Sequence, residues 1–325
     1  MKALYCREFG PEENLKVEEV DDPALAPGHV MIDVKAAGLN FPDLLCVRGE
    51  YQFKPPLPFV PGGEGAGVIA ELGDGVEGFS VGDRVCFNGL TGAFSSRAAV
   101  PAATLAKMPE SMSFEEAGGL TLVYGTSYYA LKQRAKLQPG ETVLVLGAAG
   151  GVGLAAVELA KAMGAKVIAA ASTDEKLAVT REHGADETIN YSTEDLKARV
   201  KELTGGQGVD VIYDPVGGDL AELAFRTIGW EGRYLVIGFA ASPTIPKLPL
   251  NLPLLKGASA VGVFWGAWAM RDPKGHHENM AELFDMYQAG KIKPHVAGTF
   301  TLENYMDAFK TISERRAIGK VILTP

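Results

Sequence analysis

The sequence predicts an α/β protein with two domains: an antiparallel, barrel-like domain and a doubly wound parallel sheet. Two contrasting patterns support this prediction. Up to about residue 122 the chain is rich in glycine and proline, and its apolar runs are short and alternating, as in antiparallel strands. From residue 123 onward, short continuous apolar strands alternate with helical segments. That alternation is typical of a parallel sheet covered by helices on both faces.

The individual elements follow from these patterns. In the first domain we predict one short helix, PDLLCVRG, and four strands: HVMIDVKAAG, GAGVIAELG, GDRVCFNGL and AFSSRAAV. In the second we predict six strands: TVLVLG, AKVIAAAS, ETIN, VDVIYD, RYLVIG and ASAVGV. Three of the helices between them end in glycine, which is a helix stop signal, at Gly164, Gly184 and Gly205. The predicted segments are residues 1–122, residues 123–265 and a mixed return segment, residues 266–325.

Composition excludes several classes of protein. The net charge of −9 argues against a nucleic-acid or anionic-membrane surface, because both need basic patches. The longest uncharged runs, 142–157 and 257–270, are shorter than the roughly 18–20 residues of a membrane span. The N-terminal MKALYCREFG lacks the apolar core of a secretory signal. Three scattered cysteines, Cys6, Cys46 and Cys86, suit free thiols in a reducing compartment. We therefore expect a cytoplasmic protein with no membrane span and no nucleic-acid partner.

A glycine-rich turn marks the first strand of the parallel sheet. VLVLGAAGGVG, residues 143–153, is followed by LAAVELAKAMGA at helical spacing. In a Rossmann turn three glycines allow the tight turn, the close approach of a pyrophosphate and the packing of the helix on the strand. The three positions fall here on Ala148, Gly150 and Gly153. Alanine is tolerated at the first if its φ is negative. The context of strand, turn and helix predicts a dinucleotide site at the helix N-terminus.

The tip of the second strand indicates which dinucleotide binds. NAD-binding folds usually carry an acid there for the ribose 2′-hydroxyl. This chain has Ala171 and Ser172, its nearest acid is Asp174 in the next helix, and Lys176 lies one turn into that helix. A missing acid with a nearby cation favours a 2′-phosphate, so we predict NADPH (NADP) as cofactor. The alternative is that Lys176 is an ordinary solvated helix residue.

The chain resembles the medium-chain dehydrogenase/reductase family over essentially its whole length. The motifs that carry the resemblance occur in the expected order: GLNFPDLL, PFVPGGEGAGVI, GFSVGDRV, VYGTSYYAL, GAAGGVG, GADETINY and GKVIL. The resemblance implies a GroES-like β-barrel catalytic domain, a Rossmann domain that binds NADP, and a return of the chain to the catalytic domain.

The zinc ligands of the alcohol dehydrogenase branch are missing. Asn40 stands at the first ligand position, and Gly63 stands at the histidine position beside Glu64. Zinc needs three or four converging N, S or O ligands at about 2.0–2.3 Å, and neither the five histidines nor the three cysteines show such spacing. We predict no metal. This departure resembles the zinc-free NADPH:quinone oxidoreductases, zeta-crystallin included.

The resemblance also implies roles for individual residues. Asn40 and Tyr51 are the implied catalytic residues, placed beside the nicotinamide. The implied cofactor-binding residues fall into three groups. Asn40 lies beside the nicotinamide, which is surrounded by Thr126, Gly238, Phe239, Val263 and Phe264. Gly150, Gly151 and Val152 belong to the glycine-rich turn, and the group around the adenosine 2′-phosphate is Ser172, Lys176, Tyr191 and Arg315. Arg316 adjoins Arg315, and one sequence leaves open which of them faces the cofactor. Alternatives remain for three residues: Tyr51 as a packing residue, Asn40 as a helix cap and Glu64 as a structural acid.

Without a metal as Lewis acid, the expected substrate is an intrinsically good hydride acceptor. Such acceptors are quinones and alkenes conjugated to a carbonyl, and we expect an oxidoreductase that transfers hydride from NADPH to a quinone, with Asn40 and Tyr51 as donors to the developing oxyanion. Two alternatives stay open. One is reduction of enones or enoyl thioesters of the enoyl-CoA type, and the other is an NADPH-binding structural or RNA-binding protein of the zeta-crystallin kind. The apolar run 258–270 and the resemblance together suggest a homodimer paired through the sixth strand.

Overall fold

The chain folds into two compact units. The computed structural model describes residues 1–241 and 244–325. Unit 1 comprises Met1–Leu122 and Pro294–Pro325, and unit 2 comprises Val123–Lys293. The return to unit 1 therefore begins at Pro294 and not at residue 266, which corrects the predicted boundary. The reason is that the helix over 273–288 packs inside unit 2, where Asn279 accepts a hydrogen bond of 2.8 Å from Gln133.

Unit 1 is built on a seven-stranded sheet. Its order is β14-β15-β3-β4-β5-β7, with β6 paired to β3, and a separate two-stranded sheet joins β1 to β2. All pairs are antiparallel except β14 with β15. The elements are β1 (Lys2–Tyr5), β2 (Lys16–Glu19), β3 (His29–Leu39), α1 (Phe41–Arg48), β4 (Glu64–Leu72), β5 (Arg84–Asn88), β6 (Arg97–Pro101), β7 (Leu105–Lys107), α2 (Phe114–Gly118), α3 (Thr121–Tyr128, which continues into unit 2), β14 (Val296–Thr301), α11 (Tyr305–Ser313) and β15 (Lys320–Thr324).

Unit 2 is a doubly wound sheet of six parallel strands. Their order is β10-β9-β8-β11-β12-β13, which is the strand order of dinucleotide-binding folds. The predicted fold class is therefore confirmed. The elements are β8 (Thr142–Leu146), α4 (Gly151–Ala162), β9 (Lys166–Ala171), α5 (Asp174–Glu182), β10 (Glu187–Asn190), α6 (Leu196–Leu203), β11 (Val209–Asp214), α7 (Leu220–Phe225), β12 (Ile228–Val236), α8 (Asn251–Lys256), β13 (Ser259–Gly262), α9 (Trp265–Arg271) and α10 (Pro273–Gln288).

Burial explains why the strands of unit 2 read as continuous apolar runs. Residues 143–146 of β8 and 167–171 of β9 are all buried, because helices cover both faces of the sheet. Helices α4, α5 and α6 end two residues before Gly164, Gly184 and Gly205, so the predicted helix stops are confirmed. Across residues 1–241 and 244–325, no helix is long and apolar enough to cross a membrane.

Candidate active site

The glycine-rich turn joins β8 to α4. Gly150 is the N-cap of α4, and Gly151 and Val152 form the beginning of its first turn. Ala148 is buried and donates its N–H to the carbonyl of Ala170 over 3.1 Å. The positive φ of +56° falls on Gly147, one residue earlier. Alanine therefore fits at the first glycine position, because the left-handed conformation that the turn needs lies on its neighbour.

The two remaining glycines, Gly150 and Gly153, have different roles in the turn. A Cβ at Gly153 would lie 2.3 Å from the carbonyl oxygen of Gly147, so only glycine lets α4 pack this closely on the turn. A Cβ at Gly150 would meet Gly147 O at 3.5 Å, an ordinary contact. The N–H groups of a first helical turn lack intrahelical partners and lie at the positive end of the helix dipole. The turn therefore fits a dinucleotide pyrophosphate.

At the tip of β9, the polar groups of two loops meet. The Nζ of Lys176 lies 3.5 Å from Ser172 Oγ, and Ser192 Oγ donates to the Ser172 carbonyl over 2.9 Å. Tyr191 lies on the same edge, because its N–H donates to Ala171 O over 3.1 Å. The nearest acid, Asp174, accepts a hydrogen bond of 2.8 Å from Asn190. The structure thus brings together the predicted residues Ser172, Lys176 and Tyr191. Arg315 belongs to unit 1, where it follows α11.

Asp214, which the sequence analysis missed, organises the loops at the carboxyl end of β11 and β12. Its buried Oδ1 accepts hydrogen bonds from Val216 N at 2.7 Å and Gly217 N at 2.8 Å, and Tyr234 donates its hydroxyl to Oδ2. The main-chain oxygen of Asp214 accepts the N–H of Gly238 over 3.3 Å. Burial raises the pKa of this carboxyl, and the three hydrogen bonds oppose the rise. The signal in the sequence was an acid that ends a buried strand before PVGG.

The residues implied to surround the nicotinamide lie in three segments of unit 2. Gly238 and Phe239 follow β12 in the loop that Asp214 holds. Val263 donates its N–H to the carbonyl of Val236 over 3.1 Å, and the next residue, Phe264, is 57% exposed. Thr126 is half-buried in α3. The roles of these residues in cofactor binding therefore stay predictions.

In unit 1, Asn40 makes a closed set of contacts. Its Nδ2 donates to the Gly38 carbonyl at 3.1 Å and to Glu64 Oε1 at 2.9 Å, and its Oδ1 accepts from Lys320 Nζ. An ammonium only donates, so the atom facing Lys320 must be the amide oxygen. Both amide hydrogens are therefore used inside the protein. The role of Asn40 as a donor to the substrate oxyanion stays a prediction, and these contacts give the amide a structural role as well.

Glu64 and Lys320, which both contact the Asn40 amide, form a buried ion pair. Glu64 is completely buried, and its Oε1 lies 2.7 Å from Lys320 Nζ. Its Oε2 accepts hydrogen bonds of 2.8 Å from Thr121 Oγ1 and from Leu122 N. Lys320 also donates to the Leu39 carbonyl over 3.1 Å. Glu64 thus binds the start of α3, which agrees with its alternative as a structural acid. Sequence analysis missed Lys320, although GKVIL was among the motifs.

Two further groups of unit 1 lie close to Asn40 in the chain. Asp43 is buried and accepts the main-chain N–H of Asn40 over 2.8 Å, and burial raises its pKa to about 7. Tyr51 is half-buried, and its main-chain N–H donates to Leu45 O over 3.1 Å. Burial, followed by the charges of Cys46 and Asp43, raises the pKa of the Tyr51 hydroxyl. The Tyr51 phenol therefore stays protonated at neutral pH and is able to donate a hydrogen bond.

Comparison with known proteins gives the family. Residues 26–110 match the alcohol dehydrogenase GroES-like domain, and residues 151–286 match the zinc-binding dehydrogenase domain. The chain is 42% identical to a quinone oxidoreductase-like protein 2 homolog of Nematostella vectensis, over 99% of this chain and 88% of that protein.

Solved structures agree with the sequence comparison. A quinone oxidoreductase of Pseudomonas syringae pv. tomato DC3000 superposes with a TM-score of 0.93 at 37% identity, over 100% of this chain and 99% of that one. The Escherichia coli quinone oxidoreductase, solved in complex with NADPH, gives a TM-score of 0.91 at 32% identity over 100% of both chains. The chain belongs to the medium-chain dehydrogenase/reductase family, in which unit 1 is the GroES-like domain. Within that family it lies in the quinone oxidoreductase branch.

The residues of unit 1 do not fit the zinc ion that the matching domain's description implies. Within residues 1–241 and 244–325, no three His, Cys, Asp or Glu side chains lie close enough to hold a metal. The family resemblance puts Asn40 and Gly63 at ligand positions, and the ammonium of Lys320 lies between the oxygens of Asn40 and Glu64. Zinc prefers nitrogen and sulfur ligands, and a cation already occupies this position.

Proposed function

We propose that this protein is a zinc-independent oxidoreductase that transfers hydride from NADPH to a quinone. The observation that supports the cofactor is the pairing of two features in unit 2. The glycine-rich turn fits a pyrophosphate, and the tip of β9 presents Ser172 and Lys176 where an NAD-binding fold carries an acid. Similarity to quinone oxidoreductases, one of them solved with NADPH, supports the substrate and the cofactor.

The chemistry divides between the cofactor and the chain. Bound NADPH supplies the hydride from C4 of its nicotinamide. The first turn of α4 binds the pyrophosphate, and Lys176 pairs with the 2′-phosphate. We assign Tyr51 as the donor to the acceptor oxygen, because the family resemblance implies that role and its half-buried phenol is protonated at neutral pH. A single donor of this kind is worth roughly 10²–10³ in rate. Asn40 holds Lys320 and Glu64 in place through its amide group.

The cofactor assignment is tested by two substitutions. A hydrogen bond to a charged group contributes about 1.5–3 kcal/mol, roughly ten- to a hundredfold in affinity. Lys176→Ala should raise the KM for NADPH by about that factor and leave NADH almost unchanged. Ala171→Asp should go further, because it adds repulsion of the phosphate and a partner for the ribose of NADH. Lys197→Ala, an exposed lysine of α6, is the control. A wild type that prefers NADH contradicts the assignment.

The substrate is tested by measuring NADPH oxidation with quinones, enones and enoyl-CoA thioesters. Quinones should give the highest kcat/KM; a clear preference for enoyl thioesters would establish the alternative reductase activity. Tyr51→Phe should lower kcat with the best substrate by at least about tenfold and leave the Kd for NADPH unchanged. Tyr5→Phe in β1 is the matched control. Full turnover of the Tyr51 variant would make Tyr51 a packing residue.

Assembly and location are part of the same proposal. β13 is an edge strand with exposed residues, and Leu254 and Leu255 of the adjacent α8 are 79% and 69% exposed. An open strand edge beside exposed apolar side chains supports pairing with a second copy. All three cysteines are unpaired and buried, which supports a reducing compartment such as the cytoplasm.

A further inference from the structure

Three oxygen atoms of different chemical type converge on the side-chain nitrogen of Lys320. They are the main-chain carbonyl of Leu39 at 3.1 Å, the carboxylate Oε1 of Glu64 at 2.7 Å and the amide Oδ1 of Asn40. Carbonyl, amide and carboxylate oxygens form the type of ligand set that Ca²⁺ and other hard cations take in proteins. The ammonium uses all three of its donors on this set.

The surrounding backbone is shaped to hold this lysine. A Cβ at Gly38 would lie 2.7 Å from Lys320 Cε and 2.6 Å from Glu64 Oε1, and a Cβ at Gly119 would lie 2.4 Å from Lys320 Cγ. Both glycines have φ values outside the left-handed region, so close packing accounts for them: of Gly38 against Lys320, Glu64 and the Gly118 carbonyl, and of Gly119 against Lys320 and Ile322. Lys320 itself is only 6% exposed. The fold therefore encloses the whole side chain, and its charge faces Glu64 rather than solvent.

The two buried carboxyl groups of this cluster explain why it needs a positive charge. A completely buried carboxylate such as Glu64 costs several kcal/mol unless an opposite charge compensates it. A second carboxyl, Asp43, lies in the same cluster, and the charge of Lys320 opposes the rise that burial causes in its pKa. The cluster needs one positive charge at this point, from either a side chain or a bound ion.

We propose that the Lys320 ammonium is a built-in cation that replaces a bound metal ion in unit 1. It neutralises Glu64, fixes the amide orientation of Asn40 and occupies the space that a divalent cation needs. Removal of the ammonium leaves three converging oxygens, which should then take a divalent cation that prefers oxygen ligands, such as Mn²⁺ or Ca²⁺. This inference is independent of the proposed cofactor and substrate.

The test compares melting temperatures of four proteins with and without millimolar MnCl₂ or CaCl₂. Lys320→Met keeps the apolar stem and leaves Glu64 unpaired, so it should lower the melting temperature by about 10 °C. The double variant Glu64→Gln with Lys320→Met removes both charges and should recover most of this loss. The metal should raise the melting temperature of Lys320→Met by at least about 5 °C. Wild type, the double variant and Lys35→Met, an exposed lysine of β3, should not respond.

Each alternative result overturns the proposal. A Lys320→Met protein as stable as wild type would show that no cation is needed there. A metal response that is absent, or equal in all proteins, would show that the three oxygens are not a cation site. If Lys320→Met does not fold alone, it is refolded with and without MnCl₂. Recovery only with the metal supports the proposal; failure in both conditions, while the double variant folds, contradicts it.

Discussion

Alanine substitutions at two glycines three residues apart should separate the packing role of the glycine-rich turn from its binding role. At Gly153 the added methyl would lie 2.3 Å from Gly147 O and 2.9 Å from Ala148 Cα, both rigid backbone atoms. Helix α4 must then move away from the turn, and overpacking of this kind costs about 3 kcal/mol or more. At Gly150 the methyl meets its nearest atom at 3.5 Å, with φ at −73°. Gly150→Ala should therefore change the unfolding free energy by less than about 1 kcal/mol.

For NADPH binding, we expect the larger effect from Gly150→Ala. The methyl of Gly150→Ala stands where the pyrophosphate approaches the backbone, so the Kd for NADPH should rise at least about tenfold, or about 1.4 kcal/mol. The measurements are urea unfolding of both variants and titration of NADPH fluorescence. Gly89→Ala, outside this loop, controls for added methyl groups in general, because its φ lies outside the left-handed region and its Cβ would meet the nearest atom at 3.7 Å. A Gly150→Ala protein that binds NADPH normally, or that loses as much stability as Gly153→Ala, would refute the division of roles.

Three further outcomes are expected. Burial lowers the pKa of His276 to about 4, among Trp265, Trp268 and His277. The unfolded chain therefore binds a proton that the folded chain excludes, and about 2 kcal/mol of stability should be lost between pH 6.5 and pH 5. His276→Phe should remove this contribution in urea unfolding at the two pH values; an unchanged pH dependence would contradict it. The comparison must be variant against wild type, because Asp43, whose pKa is raised to about 7, acts in the opposite direction. Activity should survive prolonged chelation with EDTA, and loss that zinc restores would overturn the zinc-independent assignment. Light scattering at micromolar concentration should give a dimer, and the double variant Leu254→Glu with Leu255→Glu should give a monomer; a monomeric wild type would exclude the proposed pairing.

The fold could be predicted from the sequence because burial follows regular patterns along helices and strands. The continuous apolar strands of unit 2 appear in the sequence because helices cover both faces of the sheet, and all six were predicted. The short helix PDLLCVRG was predicted as well, and it forms α1. The lack of cysteine and histidine at the zinc-ligand positions was also visible in the sequence, because residue types can be compared without knowing the three-dimensional structure. The lack of an acid at the tip of β9 could be predicted in the same way, because the tip directly follows a strand that the sequence had already indicated.

The end of unit 2 and the contacts of single polar side chains were decided only in three dimensions. Helix α10 gives no sign in its sequence that it packs on unit 2 and not on unit 1. Asn40 stood at a former ligand position and was interpreted as a donor to substrate, but Glu64 and Lys320 lie 24 and 280 residues away and take up its amide. Periodicity records which face of an element is buried. It cannot record which distant polar group a buried side chain meets, because each such group has one specific partner and no repeating pattern. Only the tertiary structure shows that the Asn40 amide contacts Glu64 and Lys320.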